Sequence, residues 1–513
     1  MCVTTVDIIA CDVWKIKKEE ALLGGQKSRI EQQLKAGKNT ARMRLEMLLD
    51  SESFEELDQL AVSPFLEHKE ATDGVITGFG TVNGRKIAVY AQDFTIKGGS
   101  LGKRHAEKIC KIMDLASKIG CPIIGIIDSG GARIDEGIHA LAGYGNIFSR
   151  NCRYSGVIPQ ISLVLGPCAG GAAYSPALTD FVFTTQGISN LFITGPQVIE
   201  QALHQTITKE DLGGAMVHAE RSGVVHVVTQ SEDECFLKVK QLLTYLPSNY
   251  LTPVPKQAYE NVVSDIASFV PKNFNHGYDV KKIIAAIVDQ SSFFEIHAFF
   301  AQNIVTVFAF IGGLAVGIVA NQPAVKAGTI DIDASCKAAR FINFCNGFGL
   351  PIITLVDVPG FLPGIDQEHN GIIRHGAKLL YAYATATVPK ITVILRKAFG
   401  GAYIVMGSKE LGADINFSWP NATIAVLGTK AAVTILHGKM LARVSDHERE
   451  SLATQLEAEY AQEFLNPFIA AQSGYIDAII EPEQTRKHLI KALQITSDKV
   501  EFLPKRTCGN IPL

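Results

Sequence analysis

Two kinds of periodicity alternate along this chain. Short, almost uninterrupted apolar runs, among them Pro122–Ile127, Pro159–Leu165 and Lys390–Leu395, read as strands buried on both faces, as at the centre of a parallel sheet. Between them lie charged stretches with a period near 3.6. Gly102 to Ile119 is one such amphipathic helix, and its passage into the strand at 122–127 predicts a β-α-β crossover. From Gly74 to Gln92 two strand-like runs flank Asn83-Gly84, a hairpin signal. Helix, strand and glycine turn then alternate through Thr184, and a further glycine-bearing turn, Phe192-Ile-Thr-Gly-Pro196, precedes a helix. The pattern predicts an α/β fold with a parallel centre and ligands at the carboxyl ends of its strands. Asp12 to about Leu60, broken at Gly24-Gly25 and Gly37-Lys-Asn, predicts accessory helices laid over this core. Ala431 to Phe464 predicts long helices with a solvated charged face.

The grammar occurs twice. Asp357 follows Asp128 by 229 positions, and the same interval separates Lys326 from Lys97, Pro351 from Pro122 and Gly312 from Asn83; Gly401 follows Gly171 by 230. A chain of 513 residues is too long for one core and suits two domains with extensions. The proline-rich stretch Leu246–Pro255 is the predicted linker. The apolar run Ile304–Ala320 contains Gly312-Gly313 and is short of the ~20 residues a bilayer needs, so it reads as two buried strands rather than a membrane span.

Composition narrows the classes. A net charge of −3 with mixed signs gives no basic field for nucleic acid, and the high apolar content points to surface buried between subunits. Ten cysteines with no Cys-x-x-Cys pair argue against a zinc ribbon or a disulfide framework and for reduced thiols in the cytoplasm. Met1 to Asp12 carries acids rather than the basic start of a targeting signal.

Candidate chemistry sits at the two glycine turns, Gly166-Pro-Cys-Ala-Gly-Gly-Ala172 and Arg396-Lys-Ala-Phe-Gly-Gly-Ala402. Each follows a strand and precedes a helix. The first N–H groups of a helix have no internal partner, and the helix dipole adds positive charge, so an oxyanion placed there is stabilised without a side chain. Two such turns suit a reaction in which two carbonyl compounds each pass through an enolate-like state, as in carboxyl transfer. A Gly-x-Ser-x-Gly elbow, a Walker loop and a metal-ligand cluster are absent from the sequence, so serine hydrolysis, phosphoryl transfer and metallohydrolysis are not the first readings.

The strings Asp128-Ser-Gly-Gly-Ala-Arg133, Gly166–Ala172 with Tyr174-Ser-Pro-Ala177, Asp357-Val-Pro-Gly-Phe-Leu-Pro-Gly364 and Gly371-Ile-Ile-Arg-His-Gly-Ala-Lys378 resemble the carboxyltransferase (beta) subunit of propionyl-CoA carboxylase and its acyl-CoA carboxylase relatives. The resemblance covers nearly the whole chain, including the terminal Asn-Ile-Pro-Leu513. It implies two tandem crotonase-like domains with accessory helices at both ends: a CoA carboxyltransferase N-terminal domain at 1–255 and a C-terminal domain at 260–505. It further implies a homohexamer built from dimers, with the N-domain of one subunit binding the acyl-CoA and the C-domain of its partner receiving carboxybiotin. Biotin is carried by a separate biotin carboxylase and carrier (alpha) subunit, and no metal is expected in this one.

Carried over residue by residue, Gly170 and Gly171 supply N–H donors to the thioester oxygen, and Gly401 and Ala402 supply them to the ureido oxygen of biotin. No catalytic acid is assigned. Asp128 is expected to cap a strand end, and Arg374 and His375 divide between packing roles and contact with CoA phosphates. Ile404 stands where propionyl-selective members usually carry Asp, Asp135 where Gln is common, and Thr423 and Thr434 where acids are frequent. Ile404 is therefore the expected determinant of acyl selectivity. The implied activity is carboxyl transfer from carboxybiotin to the α-carbon of a short acyl-CoA such as propionyl-CoA or acetyl-CoA. The alternatives are the alpha subunit of a biotin-dependent methylmalonyl-CoA decarboxylase and, more remotely, an inactive scaffold of the same fold.

Overall fold

The computed structural model describes residues 5–65, 70–260, 265–504 and 509–512. Met1–Thr4, with Cys2, lie outside the described residues, as do Cys508 and the terminal Leu513; the side chains of 5–12, and so the Cys11 thiol, are likewise not described. The chain forms two compact units, Met1–Thr252 and Pro253–Leu513.

In the first unit, helices Thr5–Leu23, Lys27–Lys35 and Ala41–Leu48 precede the sheet. The strands are β1 (Glu55–Leu57), β2 (Val75–Val82), β3 (Arg85–Gln92), β4 (Ile123–Ser129), β5 (Gln160–Ala169), β6 (Phe181–Thr185), β7 (Asn190–Phe192) and β8 (Val227–Thr229). They pair in the order β1-β2-β3-β4-β5-β6-β8, with β7 joined to the end of β5. The two pairings among β1, β2 and β3 are antiparallel, and from β3 onward every pairing is parallel. The segment from Asp12 to about Leu60, expected to form helices broken at Gly24-Gly25 and Gly37-Lys-Asn, thus ends in an edge strand: Glu55–Leu57 pairs with Thr77–Phe79. Three residues are too few for periodicity to declare a strand.

The second unit repeats this plan. Its strands are β9 (Phe294–Ile296), β10 (Ile304–Ile311), β11 (Leu314–Asn321), β12 (Ile352–Val358), β13 (Lys390–Phe399), β14 (Ile415–Ser418), β15 (Thr423–Ala425) and β16 (Ala478–Ile479). Their order is β16-β14-β13-β12-β11-β10-β9, with β15 joined to β13. Even the irregularities recur. The β4–β5 register shifts between Ile127 and Ser129, and the β12–β13 register between Val356 and Val358. The run 304–320 is the hairpin β10–β11. Among the described residues no helix is long and apolar enough to cross a membrane.

Each hairpin turn is held in the same way. Asn83 and Gly84 have φ of 51° and 75°, and Gly312 and Gly313 have 59° and 78°, the conformation of a two-residue turn with both central residues left-handed. A carboxylate spans each pair of N–H groups: Asp50 accepts from Asn83 and Gly84 at 2.9 and 2.8 Å, Asp289 from Gly312 and Gly313 at 3.0 and 2.7 Å.

A buried lysine also recurs. Lys108 and Lys337, themselves 229 positions apart, are 2% exposed. Lys108 donates to the carbonyl oxygens of Thr72 and Val75. Lys337 donates to those of His297, Phe300 and Ile304 at 2.9, 2.8 and 2.7 Å. Carbonyls orient an ammonium but carry no net charge, so burial prevails and pushes Lys337 down to about 7. Between that value and the ordinary lysine range the unfolded chain binds a proton that the folded chain does not, so stability rises with pH across this window. The slope from this one group is at most about 1.4 kcal/mol per pH unit. Lys337→Met is expected to flatten the rise, as read from denaturant midpoints between pH 7 and 10; an identical pH profile in the variant would contradict the shifted lysine.

Candidate functional site

The glycine turns form where the sheet forces a strand to end. β7 pairs with Pro167–Ala169 at the tip of β5, and β15 with Lys397–Phe399 at the tip of β13. The chain must then bend away at once. Gly170 and Gly400 do so with φ of +61° and +58°, a region that side chains rarely enter. Beyond them start the short helical turns Gly170–Ala173 and Gly400–Val405. No side chain caps either one, so their first N–H groups have no intrahelical partner.

The second turn opens into a cavity of about 550 Å³, lined mainly by apolar surface from Gly400, Gly401, Tyr403, Ile404, Val426 and Tyr475. A Cβ placed on Gly401 would meet nothing within 4 Å, so its backbone faces open space. Ala402 is 1% exposed and is the third residue of the same turn. Ile404 therefore shares a cavity with Gly400 and Gly401. In the first turn, a Cβ on Gly171 would lie 3.2 Å from the Tyr144 ring, so that turn is backed by an aromatic side chain.

The other departures lie elsewhere. Asp135 pairs with Lys97 at 3.5 Å. Thr423 lies at the start of β15, and the Thr434 hydroxyl donates to its own helix at the Lys430 carbonyl, 2.8 Å away. Arg374 and His375 lie in the first turn of helix Ile372–Thr385, where His375 Nδ1 meets Cys336 Sγ at 3.1 Å. Among the described residues no group of three or more His, Cys, Asp or Glu could hold a metal.

Asp128 is not a strand cap. Its side chain is fully buried and takes Lys38 Nζ at 2.8 Å and Arg44 Nη1 at 2.9 Å. Arg44 reaches on to Glu232 at 2.6 Å and to the Leu165 carbonyl at 2.6 Å. Burial pushes the Asp128 carboxyl above the usual carboxylate range, against the pull of Arg44 and Lys38. In the second unit Asp357 meets a different cation: Arg396 Nε, from β13 itself, at 2.9 Å. The residue 230 positions before Arg396 is Gly166, whose Cβ would fall 2.0 Å from Asp128 Oδ1. The first unit thus has no side chain at that strand position and takes its cations from the N-terminal segment. Lys38 and Arg44 were missed because the segment carrying them reads as accessory; the buried Asp128 itself was the available signal.

Two parallel-centred sheets with matching uncapped glycine turns define a crotonase-like carboxyltransferase fold. The chain belongs to the carboxyl transferase domain family, which matches residues 32–511. It is 50% identical to a propionyl-CoA carboxylase beta chain of Saccharopolyspora erythraea, covering 97% of this chain and 94% of that one. It is equally 50% identical to a methylmalonyl-CoA decarboxylase subunit alpha of Veillonella parvula, covering 97% of both. The crystal structure of transcarboxylase 12S, described as a hexamer with methylmalonyl-coenzyme A bound, superposes with a TM-score of 0.96 at 43% identity over 100% of this chain and 99% of that one.

Proposed function

We propose that this chain is the carboxyltransferase subunit of a biotin-dependent acyl-CoA carboxylase, acting in the cytoplasm as a homohexamer on propionyl-CoA or acetyl-CoA. The observation that carries this reading is the pair of intact, uncapped glycine turns in a chain half identical, end to end, to a propionyl-CoA carboxylase beta chain. The first half (1–255) takes the acyl-CoA, and the second (260–505) of a partner subunit takes the biotin of a separate carrier subunit.

The cavity at Gly401 fits the head of that cofactor. It is apolar, its volume lies within the range of small-ligand sites, and Gly401 leaves the approach of a carbonyl oxygen unobstructed. Bound there as carboxybiotin, the cofactor supplies the carboxyl group. The chain's own part is electrostatic. The N–H groups of Gly401 and Ala402 would hold the ureido oxygen and stabilise negative charge on it, and those of Gly170 and Gly171 would do the same for the thioester oxygen. Each such donor is worth about 3 kcal/mol in the transition state.

Ile404 bears on selectivity. A hydrophobic pocket separates substrates differing by one methylene by only about 1–3 kcal/mol. The native protein, given its biotin partner, is expected to carboxylate both acetyl-CoA and propionyl-CoA. Ile404→Asp is expected to move the ratio of kcat/KM about tenfold toward propionyl-CoA. An unchanged ratio, or a native protein strict for propionyl-CoA, would place selectivity elsewhere.

The equal identity to a methylmalonyl-CoA decarboxylase subunit alpha supports a second reading, the same half-reaction run in reverse. Genomic neighbours separate the two. An adjacent biotin carboxylase supports carboxylation, and an adjacent multi-spanning membrane subunit supports decarboxylation.

A further inference from the structure

The cavity beside Gly401 contains one charged side chain. Glu410 lines it together with Tyr403, Ile404 and Tyr475, and among the described residues its carboxylate makes no hydrogen bond or ion pair. The neighbouring cation does not serve it, because Lys409 is engaged by Asp477 and the Gly474 carbonyl. Glu410 is close enough to Tyr403 that its charge, after burial, helps push the Tyr403 hydroxyl up to about 12. An otherwise apolar cavity is therefore lined by both the Gly400-Gly401 turn and an exposed carboxylate acceptor.

We infer that Glu410 is a specificity-determining residue for the cofactor head, accepting a hydrogen bond from the ring N–H of a cyclic urea whose carbonyl faces the Gly401 turn. A cyclic urea presents a carbonyl acceptor flanked by N–H donors, so one group on each side of the cavity matches it. A simple ester or thioester carbonyl has no N–H to offer Glu410 and gains nothing from it. The inference rests on the biotin-dependent reading above and adds the residue that distinguishes a urea from other carbonyl ligands.

The test uses the full-length assembled protein and two probes, biocytin and its 3′-N-methyl derivative, which lacks the ring N–H. Binding is followed by ligand-observed NMR titration. KM is measured for biocytin as carboxyl acceptor from methylmalonyl-CoA, alongside KM for the CoA ester. The native protein is expected to bind biocytin in preference to the methylated probe. Glu410→Leu is expected to weaken biocytin about tenfold, the worth of a hydrogen bond to a charged group, and to lose the preference while KM for the CoA ester stays unchanged. Glu410→Gln, which keeps shape and an acceptor oxygen, should recover part of the loss and controls for folding. Unchanged biocytin binding and preference in both variants, with native binding intact, would overturn the role of Glu410 alone. A native protein that neither binds biocytin nor transfers a carboxyl group to it would overturn the functional reading itself.

Discussion

Gly401→Pro is expected to lower kcat for carboxyl transfer roughly 10²–10³-fold, the effect of removing one preorganised donor, while the protein folds and assembles as before. The position makes this a clean experiment. Proline is tolerated in the first turn of a helix, where the missing N–H had no intrahelical partner, and Gly401 is the second residue of Gly400–Val405. A Cβ there meets no atom within 4 Å, so the ring enters open space. The matching change Gly171→Pro removes the equivalent donor in the first unit, but its ring must be accommodated against Tyr144, 3.2 Å from the glycine's Cβ position, so some of its effect will be steric. Single-turnover rates, with light scattering to confirm assembly, provide the measurement. Native-like turnover by assembled Gly401→Pro would exclude the backbone N–H as an oxyanion donor.

The largest stability effect is expected at Arg44. Arg44→Met leaves Glu232 and Asp128 in the interior with Lys38, on Asp128, as the one remaining cation among the described residues. Breaking a buried ion pair by removing one partner costs about 3–5 kcal/mol, because the remaining charge has neither water nor a counter-ion. Methionine fills most of the volume, so the loss reports the charge rather than a void. Burial already holds the Asp128 carboxyl above the usual range; without Arg44 it moves further up, and the variant should recover stability as the pH falls and Asp128 takes up a proton. Calorimetry should show the transition of the first unit several degrees lower. A shift of less than a degree would mean that Lys38 suffices.

Much of this architecture is readable in the chain. The 229-residue interval, the two Gly-Gly turns and the Asn83-Gly84 and Gly312-Gly313 hairpins all depend on local backbone requirements, which leave a mark residue by residue. Ile404 was singled out because it stands where propionyl-selective members of the resembling family usually carry Asp. What stayed hidden depends on contacts between distant segments. Asp50 gripping the turn at Asn83, Lys337 gathering three or more carbonyls and Arg44 reaching Glu232 across 188 positions have no periodic signature. The edge strand Glu55–Leu57 was mistaken for helix because the charged sequence before it continues the same composition.

The exchange of a cation on the strand, Arg396, for cations on the N-terminal segment, Lys38 and Arg44, means that the two repeats are not interchangeable modules. A second half cut out at the linker carries its own counter-charge for Asp357. A first half cut out just ahead of β2 would bring Asp128 and Glu232 into its interior with no cation to meet them. In the intact chain position 166 cannot carry a side chain as position 396 does, since a Cβ there would lie 2.0 Å from Asp128 Oδ1 and 2.8 Å from Lys38 Nζ. After duplication the halves diverged into a self-sufficient copy and one that depends on its leader, so any minimal version of this protein must begin upstream of Lys38.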